Sequence, residues 1–161
     1  MSDDQPTHFR VEQVTWESPL QRQLKAIRFS VFVDEQNVPA ELEIDEFDPA
    51  ALHVLARDPD GRPAGTGRYY AEPAAPGRAH IGRMAVLPEF RRAGCGAAIL
   101  QTLLQRAAEA GFSEAFLQAQ VHATGFYTKF GFQPTGETYL ECDIPHQDML
   151  LDLRKDERKS E

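Results

Sequence analysis

Apolar and polar residues alternate from Phe9 to Val14, the pattern of a strand with one buried face. The period then lengthens. Leu20, Leu24, Ile27 and Val31 recur three and four apart, which predicts an amphipathic helix with Ser18 as its N-cap. The acidic stretch Asn37–Pro49 carries two prolines and reads as a loop or short helix. Leu52–Arg57 and Gly65–Tyr70 read as strands joined through an Asp60-Gly61 turn, and Pro73–Gly77 as a further turn. Ala79–Leu87 is a mostly apolar strand stopped by Pro88. From Gly96 the helical period returns in Leu100, Leu103, Leu104 and Ala107, with Gly111 placed to close the helix. Ala115–Gln120 predicts a strand. Thr124–Phe130 predicts a short helix closed by Gly131. Thr135–Glu141 and Gln147–Leu153 predict two more strands. This order predicts an α/β (α+β) fold, a three-strand meander and then β-α-β-α-β, with a mixed sheet and helices on its faces.

Length and charge narrow the classes. A chain of 161 residues suits one compact domain, expected over 1–153, with 154–161 as a charged solvated tail. Lys and Arg number 17 against 25 Asp and Glu, a net charge of −8, the opposite bias to that of a nucleic-acid binder. The two cysteines, Cys95 and Cys142, form no CxxC pair, and no His/Cys spacing suits a metal, so neither a disulfide scaffold nor a metal site is expected. Met1–Pro6 lacks a basic region followed by an apolar run, and no apolar stretch approaches a membrane span. A cytoplasmic protein is the expectation.

The most informative segment is Ile81–Ala97, in which a strand ends, a basic glycine-rich turn follows and a helix begins. The first N–H groups of a helix lack internal partners and, with the helix dipole, favour an anion. Gly94 and Gly96 remove side chains from the approach to the backbone, and Arg91 and Arg92 supply charge-assisted donors to phosphate oxygens. A P-loop would need Lys-Ser or Lys-Thr after Gly96. A dinucleotide fingerprint would need a third glycine where Ile99 stands. The plain alternative is a tight turn that opens a helix.

Arg91-x-x-Gly94-x-Gly96, five residues after Met84-Ala85-Val86, resembles the acetyl-CoA signature of the GNAT acetyltransferase family. About thirty residues on, Gln120-Val121-His122-Ala123-Thr124-Gly125-Phe126-Tyr127-Thr128-Lys129-Phe130-Gly131-Phe132 resembles a second landmark of that family, with Gln120 in place of the usual Asn. Arg28–Gln36, Glu43–Asp48 and Ile144–Met149 are similar to one bacterial subfamily of largely unassigned substrate, with Asp143 where that subfamily often has glycine. The resemblance covers about Arg28–Leu153 and implies a GNAT-like, mostly antiparallel sheet whose central strands splay. It implies acetyl-CoA as cosubstrate, no metal, and an amine acceptor on a small molecule or peptide. Pantetheine would bond to the backbone of Met84, Ala85 and Val86, and pyrophosphate to Arg91, Arg92, Ala93, Gly94, Cys95, Gly96 and Ala97, with Gln120 as a further contact. Tyr127 would face the leaving sulfur. A tyrosine at about 10 is a weaker acid than a thiol near 8.5, so full proton transfer is uphill by about 2 kcal/mol and hydrogen-bond donation is the safer role.

The base that deprotonates the amine is not singled out. Glu35, Glu43, Asp45, Glu46, His53 and His146 are candidates, with Glu35, Asp45 and His146 placed on the acceptor side. His53 reads as a core or edge histidine, His146 as a loop residue after Pro145, and the acidic run as a solvated face that borders the acceptor. Cys95 is a loop residue that bound CoA would shield, rather than a nucleophile. Two other functions stay open: transfer from a longer acyl donor, which the Phe32, Phe47 and Tyr70 region could hold, and a CoA-binding sensor without catalysis. Oligomeric state is open as well, a homodimer included.

Overall fold

The structure, a computed structural model, describes residues 8–154. The expected tail over 154–161 lies outside the described residues except for Arg154, as does Met1–Pro6. The elements are β1 (Arg10–Val14), α1 (Gln21–Arg28), α2 (Ala40–Glu43), β2 (Leu52–Arg57), β3 (Pro63–Ala71), β4 (Arg78–Val86), α3 (Cys95–Glu109), β5 (Glu114–Gln120), α4 (Thr124–Thr128), β6 (Gln133–Glu141) and β7 (Ile144–Asp152). Hydrogen bonding orders the strands β1-β2-β3-β4-β5-β7-β6. The sheet is mostly antiparallel, and β4 and β5 are parallel. The chain packs as two compact units, and both β4 and α3 run through the two.

The first unit takes residues up to Tyr70 together with Arg83–Leu103. Strand alternation sorts its faces. Leu55 joins Val14, Leu24, Ile27, Val31 and Ala85 in one buried cluster, so the apolar stripe of α1 lies on that face. Val54 and Ala56 pair with Gly67 and Gly65 and point the other way. There a Cβ on Gly65 would sit 2.9 Å from the Ala85 carbonyl and 3.0 Å from Cys95 Sγ, and one on Gly67 would sit 2.8 Å from Ile99. The missing side chains in β3 are therefore what lets the first turns of α3 lie close to the strand.

Ser18 does not cap α1. The N-cap is Leu20, whose N–H bonds to the Ser18 hydroxyl at 3.1 Å. The helix also continues past Arg28 as a π-helix, Phe29–Glu35, and closes where Asn37 turns left-handed at φ 63°.

The second unit takes Ala71–Gly82 and the residues from Leu104 on. The parallel register there runs from Arg78–Glu114 to Ile81–Leu117, while β7 runs antiparallel to β5 from Asp152–Glu114 to His146–Gln120. Ala115, Leu117, Ala119, Met149 and Leu151 are buried, and β6, at the edge, is exposed along nearly its whole length. Gly111, at φ 96°, closes α3 as expected, with Phe112 N–H bonding back to the Ala107 carbonyl at 3.1 Å. A two-residue turn, Cys142 and Asp143 at φ 51° and 63°, joins β6 to β7. Asp tolerates this left-handed region well enough to stand where the resembling subfamily carries glycine.

Candidate active site

In the first unit, β4 ends at Val86, a single 3-10 turn covers Pro88–Phe90, and α3 begins at Cys95. Arg92 (φ 65°) and Gly94 (φ 92°) are both left-handed and fold the intervening loop tightly against the helix start. A Cβ on Gly94 would meet nothing within 4 Å, so the approach to this backbone is open. Arg92 is exposed and makes no hydrogen bond or ion pair among the described residues. The loop thus offers first-turn N–H groups, an uncrowded glycine and a guanidinium to an anion.

Two expectations change here. Arg91 is already committed: its Nη atoms bond Glu35 at 2.8 and 2.7 Å, and its Nε bonds the Val86 carbonyl at 2.8 Å. Glu35 is therefore tied to the glycine loop through Arg91, and its hydrogen bond to Arg91 holds its carboxyl below the ordinary value. Cys95 faces inward, 1% exposed, and burial alone pushes its thiol up to about 11. Its backbone N–H remains at the start of α3, but its sulfur needs no CoA to shield it. In the folded protein without ligand, a thiol reagent at pH 8 should modify the exposed Cys142 quickly and leave Cys95 intact until unfolding. Rapid modification of two thiols, counted by mass, would contradict this packing.

The acidic segment is not a solvated face. Arg28 Nε bonds Glu43 at 2.8 Å, and Arg28 Nη1 bonds Asp48 at 2.8 Å. Arg68 bonds Asp48 at 2.6 Å and Asp45 at 2.7 and 2.8 Å. Arg83 reaches Glu43 and Asp45 at 3.2 Å. Arg28, Glu43, Asp48 and Arg68 are all buried. Burial works against ionisation of Asp48, yet Arg28, the Asp45 N–H and Arg68 hold its carboxyl down at about 2. Asp45 is lowered in the same way, burial losing to Arg68 and Arg83. Burial wins at Glu43, which is raised despite Arg28. Asp45 is thus engaged by two arginines rather than presented to an amine. His53 is a core residue, as expected: it stacks on Trp16, touches the Asp48 carbonyl at 2.9 Å, and is lowered by burial. Sequence reasoning missed Arg28, Arg68 and Asp48. The available signal was an arginine at position 28, on the helix stripe of Leu24 and Val31, which demands a buried partner.

In the second unit, β5 leads through a 3-10 turn, Val121–Ala123, into α4. The Gln120 side-chain carbonyl accepts from His122 Nε2 at 2.7 Å. The helix is shorter than predicted, but the Gly131 closure stands at φ 99°, with Phe132 N–H bonding the Tyr127 carbonyl at 3.3 Å. Tyr127 is half-buried and meets Phe126 and Phe132 edge-on at 5.1 and 6.0 Å; burial pushes its phenol up to about 12. His146 lies in β7, not in a loop, opposite Gln120 on β5 and Tyr139 on β6. It stacks on Tyr139, whose hydroxyl bonds Asp148 at 2.5 Å. His146 Nδ1 sits 2.7 Å from the Ile144 carbonyl, an acceptor, so Nδ1 carries the proton and Nε2 the lone pair in the neutral ring.

No helix among the described residues is long and apolar enough to cross a membrane, and no group of three or more metal-binding side chains occurs among them. A profile of the acetyltransferase (GNAT) family matches residues 16–132. The uncharacterized N-acetyltransferase YjcF of Bacillus subtilis (strain 168) is 39% identical over 127 residues, 78% of this chain and 88% of that protein. Among solved structures, Escherichia coli ElaA aligns with a TM-score of 0.80 at 27% identity, over 90% of this chain and 100% of its own. An acyl-CoA N-acyltransferase from Pseudomonas aeruginosa aligns with a TM-score of 0.78 at 29% identity, over 89% and 99%.

Proposed function

The chain belongs to the acetyltransferase (GNAT) family, and from that membership we propose that it moves an acetyl group from acetyl-CoA to an amine on a small molecule or peptide, with both substrates bound at once. The observation that carries the reading is the strand–loop–helix at Met84–Ala97, with its left-handed Arg92 and Gly94 and open glycine. In this proposal the backbone of Met84–Val86 pairs with the pantetheine amides, although Arg91 already uses one lone pair of the Val86 carbonyl. The N–H groups of Gly94–Ala97 and the Arg92 side chain take the pyrophosphate, while Arg91 fixes the loop to β4 and can exchange Glu35 for phosphate. Gln120 is a further contact. The catalytic domain is proposed to span 1–153, in the cytoplasm, and the acidic balance of the chain argues against a nucleic-acid partner.

The amine nitrogen attacks the thioester carbonyl, the C–S bond breaks, and the electron pair leaves on sulfur. Tyr127 donates its O–H to that sulfur. A phenol at about 12 against a thiol near 8.5 makes full proton transfer uphill by about 5 kcal/mol, so hydrogen-bond donation is its role. The ammonium proton must go to a base. The carboxylates of Asp45 and Asp48 are spent on arginines, so His146, with its Nε2 lone pair, is the proposed acceptor, directly or through water.

A panel of primary amines with acetyl-CoA and a free-thiol readout tests the reading. Amine-dependent thiol release is expected. Tight acetyl-CoA binding with no release for any amine would favour a non-catalytic CoA-binding module. A longer acyl donor is the second reading, since the P. aeruginosa neighbour is named for acyl transfer without a chain length, and profiling acyl-CoA chain length separates the two.

A further inference from the structure

Arg83 is, among the described residues, the one non-glycine residue inside a strand with a left-handed backbone, at φ 51° in β4. A side-chain-bearing residue avoids this region unless its surroundings hold it there. The holding groups are present. Arg83 Nε lies 3.2 Å from both the backbone carbonyl and the carboxylate of Glu43. Its Nη2 lies 3.3 Å from the Leu42 carbonyl and 3.2 Å from the Asp45 carboxylate. These acceptors do not drift, because Glu43 and Asp45 are themselves bonded by the buried Arg28 and Arg68, which converge on Asp48. A buried charge network of this kind adds little net stability for its desolvation cost, and its better-attested use is to fix one arrangement. What it fixes is the bend at Arg83. Four residues on, Leu87 N–H bonds the Ala64 carbonyl at 2.9 Å. Met84, Ala85 and Val86 therefore lie between two anchors, the Arg83 clamp and the Leu87 bond.

We propose that Arg83 is a positioning residue for acyl-CoA: the Leu42–Asp45 segment clamps its guanidinium, holds β4 in the left-handed bend, and so aims the N–H and C=O groups of Met84–Val86 at the pantetheine arm. The inference rests on the acyl-CoA reading. Between these anchors a change of φ and ψ at Arg83 re-aims the peptide planes of Met84–Val86, so a relaxed Arg83 would turn these groups away while the Leu87 bond keeps the glycine loop and its phosphate contacts in place.

The test uses Arg83→Gly, which can still adopt the bend but lacks the clamp, and Arg83→Lys, which keeps the charge without the planar fork. Calorimetry measures binding of acetyl-CoA and of 3′,5′-ADP, which carries phosphates but no pantetheine. Arg83→Gly should weaken acetyl-CoA by roughly tenfold or more, the scale of one or two misaligned hydrogen bonds, and leave 3′,5′-ADP within about twofold. Should Arg83→Gly not fold, Arg83→Lys carries the test with a smaller loss of the same selectivity. Equal losses for both ligands, or unchanged acetyl-CoA affinity in a folded variant, would overturn the inference. Amide hydrogen exchange at Met84–Leu87 needs no ligand: faster exchange in the variant supports the clamp, and unchanged exchange overturns it. Wild-type protein that binds neither ligand would instead remove the acyl-CoA reading itself.

Discussion

Tyr127→Phe should lower kcat about 10²–10³-fold while leaving stability and acetyl-CoA affinity nearly unchanged. The substitution removes one hydroxyl and keeps the ring against Phe126 and Phe132. The lost donor matters most when charge develops on sulfur, so the loss falls on the transition state rather than on binding. Because burial holds the phenol at about 12, the wild-type pH–rate profile should carry no limb from this tyrosine below about pH 10. Steady-state kinetics with a responsive amine check both points. A loss of only a few-fold would mean that water or backbone groups serve the sulfur and that Tyr127 merely packs.

Asp48→Ala should destabilise the protein by about 3–5 kcal/mol, since it leaves Arg28 and Arg68 buried without their shared carboxylate. For a chain of this length that lowers Tm by roughly 6–20 °C. The same carboxyl sets an acid limb. Its folded value, about 2, lies below the ordinary 3.8, so its contribution is complete above about pH 4 and is lost as pH falls through 2. The contribution is about 2–3 kcal/mol, and Asp45 acts in the same direction. Glu43, raised by burial, opposes them in the window above its ordinary 4.5, where its ionisation costs the folded state. Thermal melts from pH 6 to pH 2.5 should show wild type losing stability mainly below pH 4, and Asp48→Ala should follow a flatter course there. A variant within 1 kcal/mol of wild type would show the network to be solvated.

The parts legible in the sequence are those fixed by local chemistry. Pro88 ends β4, Gly111 and Gly131 close helices with positive φ, and the spacing from Arg91 to Gly96 places a loop at a helix start. The parts that were not legible depend on partners far along the chain. Glu43, Asp45 and Asp48 read as a solvated run because their arginines lie 15 to 40 residues away in sequence. The Arg91–Glu35 ion pair was hidden in the same way, because the two residues lie 56 apart in sequence. His146 read as a loop residue after Pro145, but Cys142 and Asp143 complete the turn by themselves, so β7 begins at Ile144. The bend at Arg83 has no sequence mark, since nothing local distinguishes a left-handed arginine from an extended one.

The most direct test of the account is calorimetric titration of the wild-type protein with acetyl-CoA, paired with a thermal melt. One site of about 10 µM or tighter is expected. At a hundredfold excess over Kd, bound acetyl-CoA should add about 2.7 kcal/mol of stability, a Tm rise of roughly 5–10 °C that NAD and ATP do not match. No heat and no shift with either acetyl-CoA or CoA would contradict acyl-CoA binding.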